Sequence, residues 1–527
     1  MAFADIAKPE RKQEIPTPLS MPSATDIPTP RVIKVSIWAS PSLAETLGTA
    51  LQDPLRALFV SDAGTANIRI EVGEENLISQ WVYALVSPFS TTVQGVSKDD
   101  LVLSWQGQSM GPYAGHPILM DQNTYEMFSA VWGPSAPTSV TLIAKNDLID
   151  YAWAHQPAWA IVPFDSLDPR WRVLAVDGLS PIHKDFNPDS YPLKIPISLI
   201  GDPKLVELVE TNFSIPSTNR DPQKLTVIAM TGVTALVRAT AFTMEQQGMT
   251  YPDQDIRDWL LSADVTHISN EVPFAENCPY PDPVQADVRF CSRDMYVELL
   301  EDVGTDVVEL TGDHLQDWGI EAVFHTLDMY RERGWLYYGG GMNLTEARQA
   351  LLLDNNNNRI AFIGCNAKGS SFAQASETNP GAAACDLAGM AQEINRLKQD
   401  GYLVIATFQH NEYYAYAAEA DQQRDFRQMA EAGAVVVSGS QAHQPQGMEF
   451  LNASFIHYGL GNLFFDQYGL CPACRQGLID RHVFYDGHYI STEILPIQFI
   501  DYARSRPMTP DEASSLLEAL FDASGWQ

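Results

Sequence analysis

The run Asp313-His314-Leu315-Gln316-Asp317 puts three acid–base or metal-competent side chains into five residues, directly after the apolar, strand-like Val307-Val308-Glu309-Leu310. Helical spacing follows in 320–333, where Ala322, Val323, Leu327 and Tyr330 share a face. The polar cluster therefore caps a strand at its carboxyl end, where open α/β sheets hold their sites. His314 and Asp317 are three apart, so a carboxylate can orient an imidazole, as groups behind metal ligands and general bases do. The structural alternative is an Asp helix cap beside a solvated His.

Other apolar runs after residue 224 also end on polar side chains. They are Thr231-Gly232, Ser269-Asn270-Glu271, Gln409-His410-Asn411-Glu412-Tyr413, Ser440-Gln441-Ala442-His443 and Tyr458-Gly459-Leu460-Gly461-Asn462. A layered α/β domain presents strand ends on one rim, so these groups can converge there. Mixed nitrogen and oxygen donors at an open rim suit Mn, Zn or Fe, which activate water.

The elements that must position them fall into two stretches. From residue 31 to 202, strand-like runs at 32–38, 67–72, 81–86, 140–143, 158–162, 171–176 and 195–200, with a helix near 43–58, give an α/β pattern holding only three of the eleven histidines and no cysteine. Residues 203–224 combine a short helix with the Pro/Ser/Asn-rich 214–222 and read as a linker. Residues 225–527 repeat strand and helix signals and carry the other histidines and all six cysteines. Asn355 to Asn358 reads as a hairpin loop. Residues 1–30 are polar and Pro-rich, the composition of a flexible tether.

Composition narrows the function. With 45% hydrophobic and 10% aromatic residues the chain is globular, and 527 residues suffice for two or three cores. A formal net charge of -33 disfavours nucleic acid and anionic membrane surfaces. The cysteines pair locally as Cys278 with Cys291, Cys365 with Cys385, and Cys471 with Cys474, which reads as disulfides in an oxidising compartment. Cys471-Pro-Ala-Cys474 is alternatively a redox motif. No run reaches the length of a membrane-spanning helix. An exported protein, attached to a membrane if at all through a segment not in this sequence, fits the cysteines and the tether.

Three segments of the first stretch resemble phosphate-type periplasmic solute-binding proteins: 96–101 with Trp105-Gln106-Gly107; Ala160-Ile161-Val162-Pro163-Phe164; and 173–178 with Pro181 and Tyr191-Pro192-Leu193. The resemblance implies a bilobal ligand-binding fold and a small-molecule ligand. It does not supply that family's Ser/Thr/Arg anion-binding set.

The second stretch resembles the CapA family, the poly-γ-glutamate capsule biosynthesis proteins, whose domain is related to calcineurin-like metallophosphatases. The motifs that carry it are Ser269-Asn270-Glu271-Val272-Pro273, then 311–319 around Asp313-His314, then Gly339-Gly340-Gly341, Glu412-Tyr413, Gly439 to His443 and Tyr458 to Asn462. The resemblance implies a metallophosphatase-like fold and a capsule or other anionic polymer as partner. It also implies a divalent-metal centre with Glu271, Asp313, His410 and His443 as ligands and His314, oriented by Asp317, as the acid. Glu412, Tyr413 and Asn462 would contact substrate. Three family ligand positions are replaced here, by Val233, Phe408 and Gln441, so a single ion is expected. His410 would substitute for the ligand lost at Phe408, since a two-residue shift along a strand restores the face. Without metal, the chain would be a degenerate ligand- or polymer-binding protein. Glu271 and His443 also have structural readings, as a turn cap before Pro273 and a backbone partner near Pro445. From the residues alone, Tyr413, Tyr414 and Tyr416 read as an aromatic wall or core edge ahead of a substrate platform.

Overall fold

The computed structural model describes residues 35–51, 57–369 and 372–526. The tether expected over 1–30 lies outside the described residues.

The strand Leu77–Pro88 organises the N-terminal part. Its aromatic and aliphatic residues from Trp81 onward are buried, as a strand covered on both faces requires. It pairs antiparallel with Lys194–Gly201 along its first half and with Trp159–Pro163 and Trp171–Val176 along its second. One strand thus runs through two half-sheets. Ile68–Val72, Ser36–Ala39 and Leu58–Phe59 extend the first, and Ile118–Met120 and Val140–Leu142 the second. This is the expected two-lobed α/β arrangement. The expected helix near 43–58 is shorter, Pro41–Leu47 continued by a 3-10 turn to Leu51. A cavity of about 530 Å³, lined from both halves, carries Glu45, Asp121, Glu126 and Asp165 against Lys145. Ser42, Thr46 and Ser166 also line it, but among the described residues no arginine does.

The C-terminal part is a four-layer sandwich. One sheet runs Leu336–Tyr338, Thr305–Glu309, Val265–Asn270, Leu225–Thr234, Gln476–Tyr485, His488–Ile500 and Arg504–Pro507, with Asn462–Phe464 also beside Leu225–Thr234. The second runs Leu351–Asn355, Asn358–Asn366, Leu403–Gln409, Val436–Ser438, Ser454–His457 and Met448–Leu451. Strand alternation explains the layering. Ile228, Met230, Val265 and Val307 face Ile360, Phe362, Ile405 and Val436 across the middle. Their neighbours Ala229, Ile268 and Val308 pack outward with Val323 and Leu327 of the helix Ile320–Glu332. Ala361, Val404 and Ala406 likewise pack outward with Ile394, Leu397, Phe426 and Met429 of the helices Leu387–Gln399 and Ala420–Ala432. The asparagine hairpin forms as expected, with Asn356 and Asn357 at φ 45° and 67°, a conformation asparagine tolerates.

The segment expected to be a linker is held on both sides. Asn219 accepts from Val82 N (2.8 Å) and donates to Val82 O (3.0 Å), Arg220 bonds the carbonyls of Pro181 and His183, and the Tyr485 hydroxyl donates to Asn219 O (2.9 Å). Its polar composition serves buried side chain-to-backbone bonds, so it has little slack. Phe89 inserts against Phe450, Phe455 and Trp526 of the C-terminal part. Glu493 joins the two parts electrostatically, 3.1 Å from His183 Nε2 and 3.0 Å from Arg481 Nη1.

Burial would raise the Glu493 carboxyl, but His183 and Arg481 outweigh it and pull it down to about 2. A depressed carboxylate stabilises the fold above its ordinary value, near 4.5, and that contribution is lost as pH falls through about 2. Glu493→Gln should cost roughly 1.5–3 kcal/mol near neutral pH, the range for hydrogen bonds to charged groups. Denaturant melts should show the gap from wild type closing below the ordinary carboxylate range. An equal gap at neutral and strongly acidic pH would refute the assignment.

Candidate functional site

The strand ends of the two sheets meet at one rim, where Glu271, Asp313, His314, Lys368, Glu412 and His443 converge. Glu271 follows the strand Val265–Asn270, with its backbone N–H bonded to Thr234 O (2.9 Å). The loop after Thr305–Glu309 packs directly on it. A Cβ on Gly312 would lie 2.7 Å from Glu271 O and 2.8 Å from its Cα, so glycine is required for this approach. Asp313 follows at once. Glu271, Asp313 and His314 each place a donor atom within 4.8 Å of the others, the group of this kind among the described residues.

Both imidazoles are fixed from behind. His314 Nδ1 lies 2.6 Å from Asp317 Oδ2, which also accepts from Phe290 N (2.9 Å). The Asn462 amide donates to His443 O and Cys474 O (3.1 Å each), which turns its Oδ1 to His443 Nδ1 at 2.9 Å. An amide oxygen can only accept, so His443 Nδ1 carries the proton and Nε2 faces the cluster. His443 Nε2 lies 3.8 Å from Glu271 and 3.5 Å from Glu412.

Electrostatics set the protonation states. Glu271 is fully buried with neither carboxylate oxygen hydrogen-bonded. Burial pushes its carboxyl up to about 7 against the opposing pull of His443, His314 and Lys368. Burial would lower His314, but the Asp317 bond and the charges of Glu271 and Asp313 raise it to about 9. Despite burial, Glu412 is held far below the carboxylate range by His443 and Lys368, and Lys368 well above the lysine range by Asp313, Glu271 and Glu412. Lys368 Nζ is 2.8 Å from Asp313 Oδ2 and also bonds Glu412, while Asp313 Oδ1 accepts from Gln409 Nε2 (3.2 Å).

One wall is apolar. Val233, Val272, Phe290 and Phe465 cluster together, with Phe290 4.9 Å from the His314 ring and Phe465 5.2 Å from His443. The Arg238 guanidinium stacks over Phe465 and Phe290. A cavity of about 580 Å³ outside the cluster is lined by Val288, Arg289, Asp313, His314, Gln316 and Phe372.

The structure brings together Glu271, Asp313, His314, Glu412 and His443, with Asp317 and Asn462 behind the histidines. Three expectations need correction. His410 is not in the group: its Nε2 turns to Asp425 Oδ2 at 3.1 Å. The strand Leu403–Gln409 ends one residue earlier, so the argument from strand alternation does not reach His410, and Gln409 points at Asp313 instead. Tyr413 donates to Asp421 (2.7 Å), beside the helix Ala420–Ala432. Asn462, fully buried, orients His443 and does not face a substrate. Gln441 donates to Ser269 Oγ (2.5 Å), behind the cluster. Lys368 was not anticipated; it lies two residues past the strand Asn358–Asn366, so the rule that singled out the other strand ends would have found it. The three cysteine pairs are disulfides in the structure.

The residues fit one divalent ion. The buried Glu271 carboxylate with two unpaired oxygens, Asp313 and the His314 imidazole are hard and borderline donors close to one another.

Residues 227–467 match the family model described as "Bacterial capsule synthesis protein PGA_cap". Over 299 residues the chain is 22% identical to "Capsule biosynthesis protein CapA" of Bacillus anthracis, covering 56% of this chain and 72% of that one. Over 189 residues it is 26% identical to "PGA biosynthesis protein CapA" of Bacillus subtilis, covering 36% of this chain and 49%, about half, of the relative. Similar solved structures include an ABC-type phosphate transport receptor from Vibrio cholerae (14% identity, TM-score 0.28, 33% of this chain, 92% of that chain) and a 5′-nucleotidase precursor from Thermus thermophilus (12%, 0.34, 57% and 58%).

In metal-free protein, Asp317→Asn should lower the His314 titration midpoint from about 9 toward the ordinary histidine value, because the substitution removes a charge and its hydrogen bond. Proton NMR of the ring C–H signals reads this directly. An unchanged midpoint would show that Asp317 does not set the state of His314.

Proposed function

We propose that this chain, whose residues 227–467 match the bacterial capsule synthesis protein model and which is similar to CapA proteins, is an exported protein of poly-γ-glutamate or related capsule-polymer metabolism, with a metal-dependent hydrolytic centre that uses one divalent ion. The observation that carries the reading is Glu271, a buried carboxylate with both oxygens unpaired beside Asp313 and His314. A buried acid without partners is costly unless a cation or a proton compensates it. Glu271, Asp313 and His314 would hold the ion, with His443 Nε2 beside Glu271. When bound, the ion supplies Lewis-acid activation of water and of a phosphoester or amide group.

The chain's own residues do the rest. Asp317 and Asn462 hold the two imidazoles by Nδ1, leaving Nε2 toward the reacting groups. Despite burial, Glu271 and Glu412 raise His443 above the ordinary histidine value, so its Nε2 takes a second proton between them and passes it to a leaving group. Phe290, Phe465 and Val233 exclude water from one side and strengthen every charge interaction inside. The outer cavity, with Arg289, Val288 and Phe372 on its walls, receives the polymer. Three disulfides support export. Residues 31–202 act as a separate ligand-binding unit and 225–527 as the catalytic one. That apolar wall also favours a second reading, a polymer-binding protein without turnover, in which the same cavity captures ligand.

Metal analysis separates these. Purified wild type incubated with Mn²⁺ should retain about one ion per chain and hydrolyse a phosphodiester or γ-glutamyl substrate, and Glu271→Ala should lose both. Asp317→Ala should weaken ion binding roughly 10–100-fold, the usual cost of removing the group behind a ligand histidine. Tight polymer binding with neither retained ion nor turnover in wild type would favour the second reading and overturn the first.

A further inference from the structure

We infer that Lys368 is a built-in cation that takes the place a second divalent ion would need, and so restricts the centre to one ion. The inference rests on the single-ion reading above. The donors at the rim form two overlapping sets. Glu271, Asp313 and His314 make the first. Asp313 and Glu412, with His443 Nε2 3.5 Å from Glu412, make the second, and Asp313 belongs to both. Two-ion hydrolytic centres hold their ions roughly 3.5–4 Å apart, a spacing that overlapping sets of this kind can accommodate. Here the second set is already filled. The Lys368 ammonium contacts both of its carboxylates, at 2.8 Å from Asp313.

The ammonium is held there by its backbone. Ala367 N and Lys368 N both donate to Gln409 O (2.8 and 3.2 Å), tying the segment after Asn358–Asn366 to the end of Leu403–Gln409. Asn366 clamps the same turn, its amide donating to Thr311 O (2.8 Å) and its oxygen accepting from Gly369 N (2.8 Å). The Thr311 contact ties Lys368 to the loop that carries Asp313. A lysine ammonium is a compact point charge with three donors. It can satisfy two carboxylates as an ion would, but it supplies no open coordination position. A divalent ion entering the second set would have to displace it or sit in contact with a like charge.

The test counts Mn²⁺ ions bound to the folded full-length chain, by equilibrium dialysis and by electron paramagnetic resonance, which distinguishes an isolated ion from a spin-coupled pair. Wild type should bind one isolated ion. Lys368→Ala should bind two as a coupled pair, while Lys368→Arg, which keeps the charge, should bind one. Should Lys368→Ala fail to fold, judged by its thermal melt, Lys368→Gln keeps the length without the charge and should also bind two. Two ions in wild type, or one ion in every variant, would overturn the role of Lys368 and leave the single-ion reading standing only in the latter case. No ion in wild type and one in Lys368→Ala would uphold Lys368 as the internal cation while sinking the single-ion reading. No ion in any variant would sink both.

Discussion

Carboxylates crowded into a buried rim must be compensated, and this requirement organises the centre. Glu271 and Asp313 lie close together, Glu412 shares Lys368 with Asp313, and Asp317 stands behind His314, all on strand ends that the sandwich brings together. In a medium of low effective dielectric their mutual repulsion, added to desolvation, would drive protons onto them or push the loops apart. Lys368, His314 and His443 are placed among them as countercharges. Glu271, whose two oxygens have no hydrogen-bond partner and whose proton affinity burial raises, is the position open to a cation from solution.

The fold supplies the convergence at little cost elsewhere. Each strand delivers its core residues by alternation and then ends on a polar side chain, so packing and chemistry occupy successive residues of the same segment. The loops can approach closely because Gly312 lets the Asp313 turn rest on the Glu271 backbone. The apolar cluster of Val233, Phe290 and Phe465 then packs against the two site imidazoles. The cavity in the N-terminal part carries four carboxylates and one lysine.

Much of this was legible in the residues. Strand periodicity located both sheets, and strand-end polarity located Glu271, Asp313, His314, Glu412 and His443, because burial patterns and site chemistry are both local properties of a segment. What failed depended on where a strand stops. His410 was placed by extending the strand Leu403–Gln409 one residue too far, and no local signal marks that boundary. Tyr413 bonds Asp421 and Asn462 stands behind His443, partners that the sequence does not specify, since hydrogen-bond direction is a tertiary property. The 214–222 segment has the composition of a free linker, and only the burial of Asn219 and Arg220 against the N-terminal part shows otherwise. His267, His457 and His482 lie inside the sandwich and bond Tyr338, Asp480 and Thr492.

The bonds behind the two site histidines have an entropic consequence. Asp317 is itself pinned by Phe290 N–H, and Asn462 by two carbonyls, so neither imidazole keeps rotameric freedom in the folded chain. The loss of that freedom belongs to folding and not to ligand capture. A cation or substrate arriving at the rim meets donors already aimed, and its binding free energy is not reduced by the ordering of two side chains.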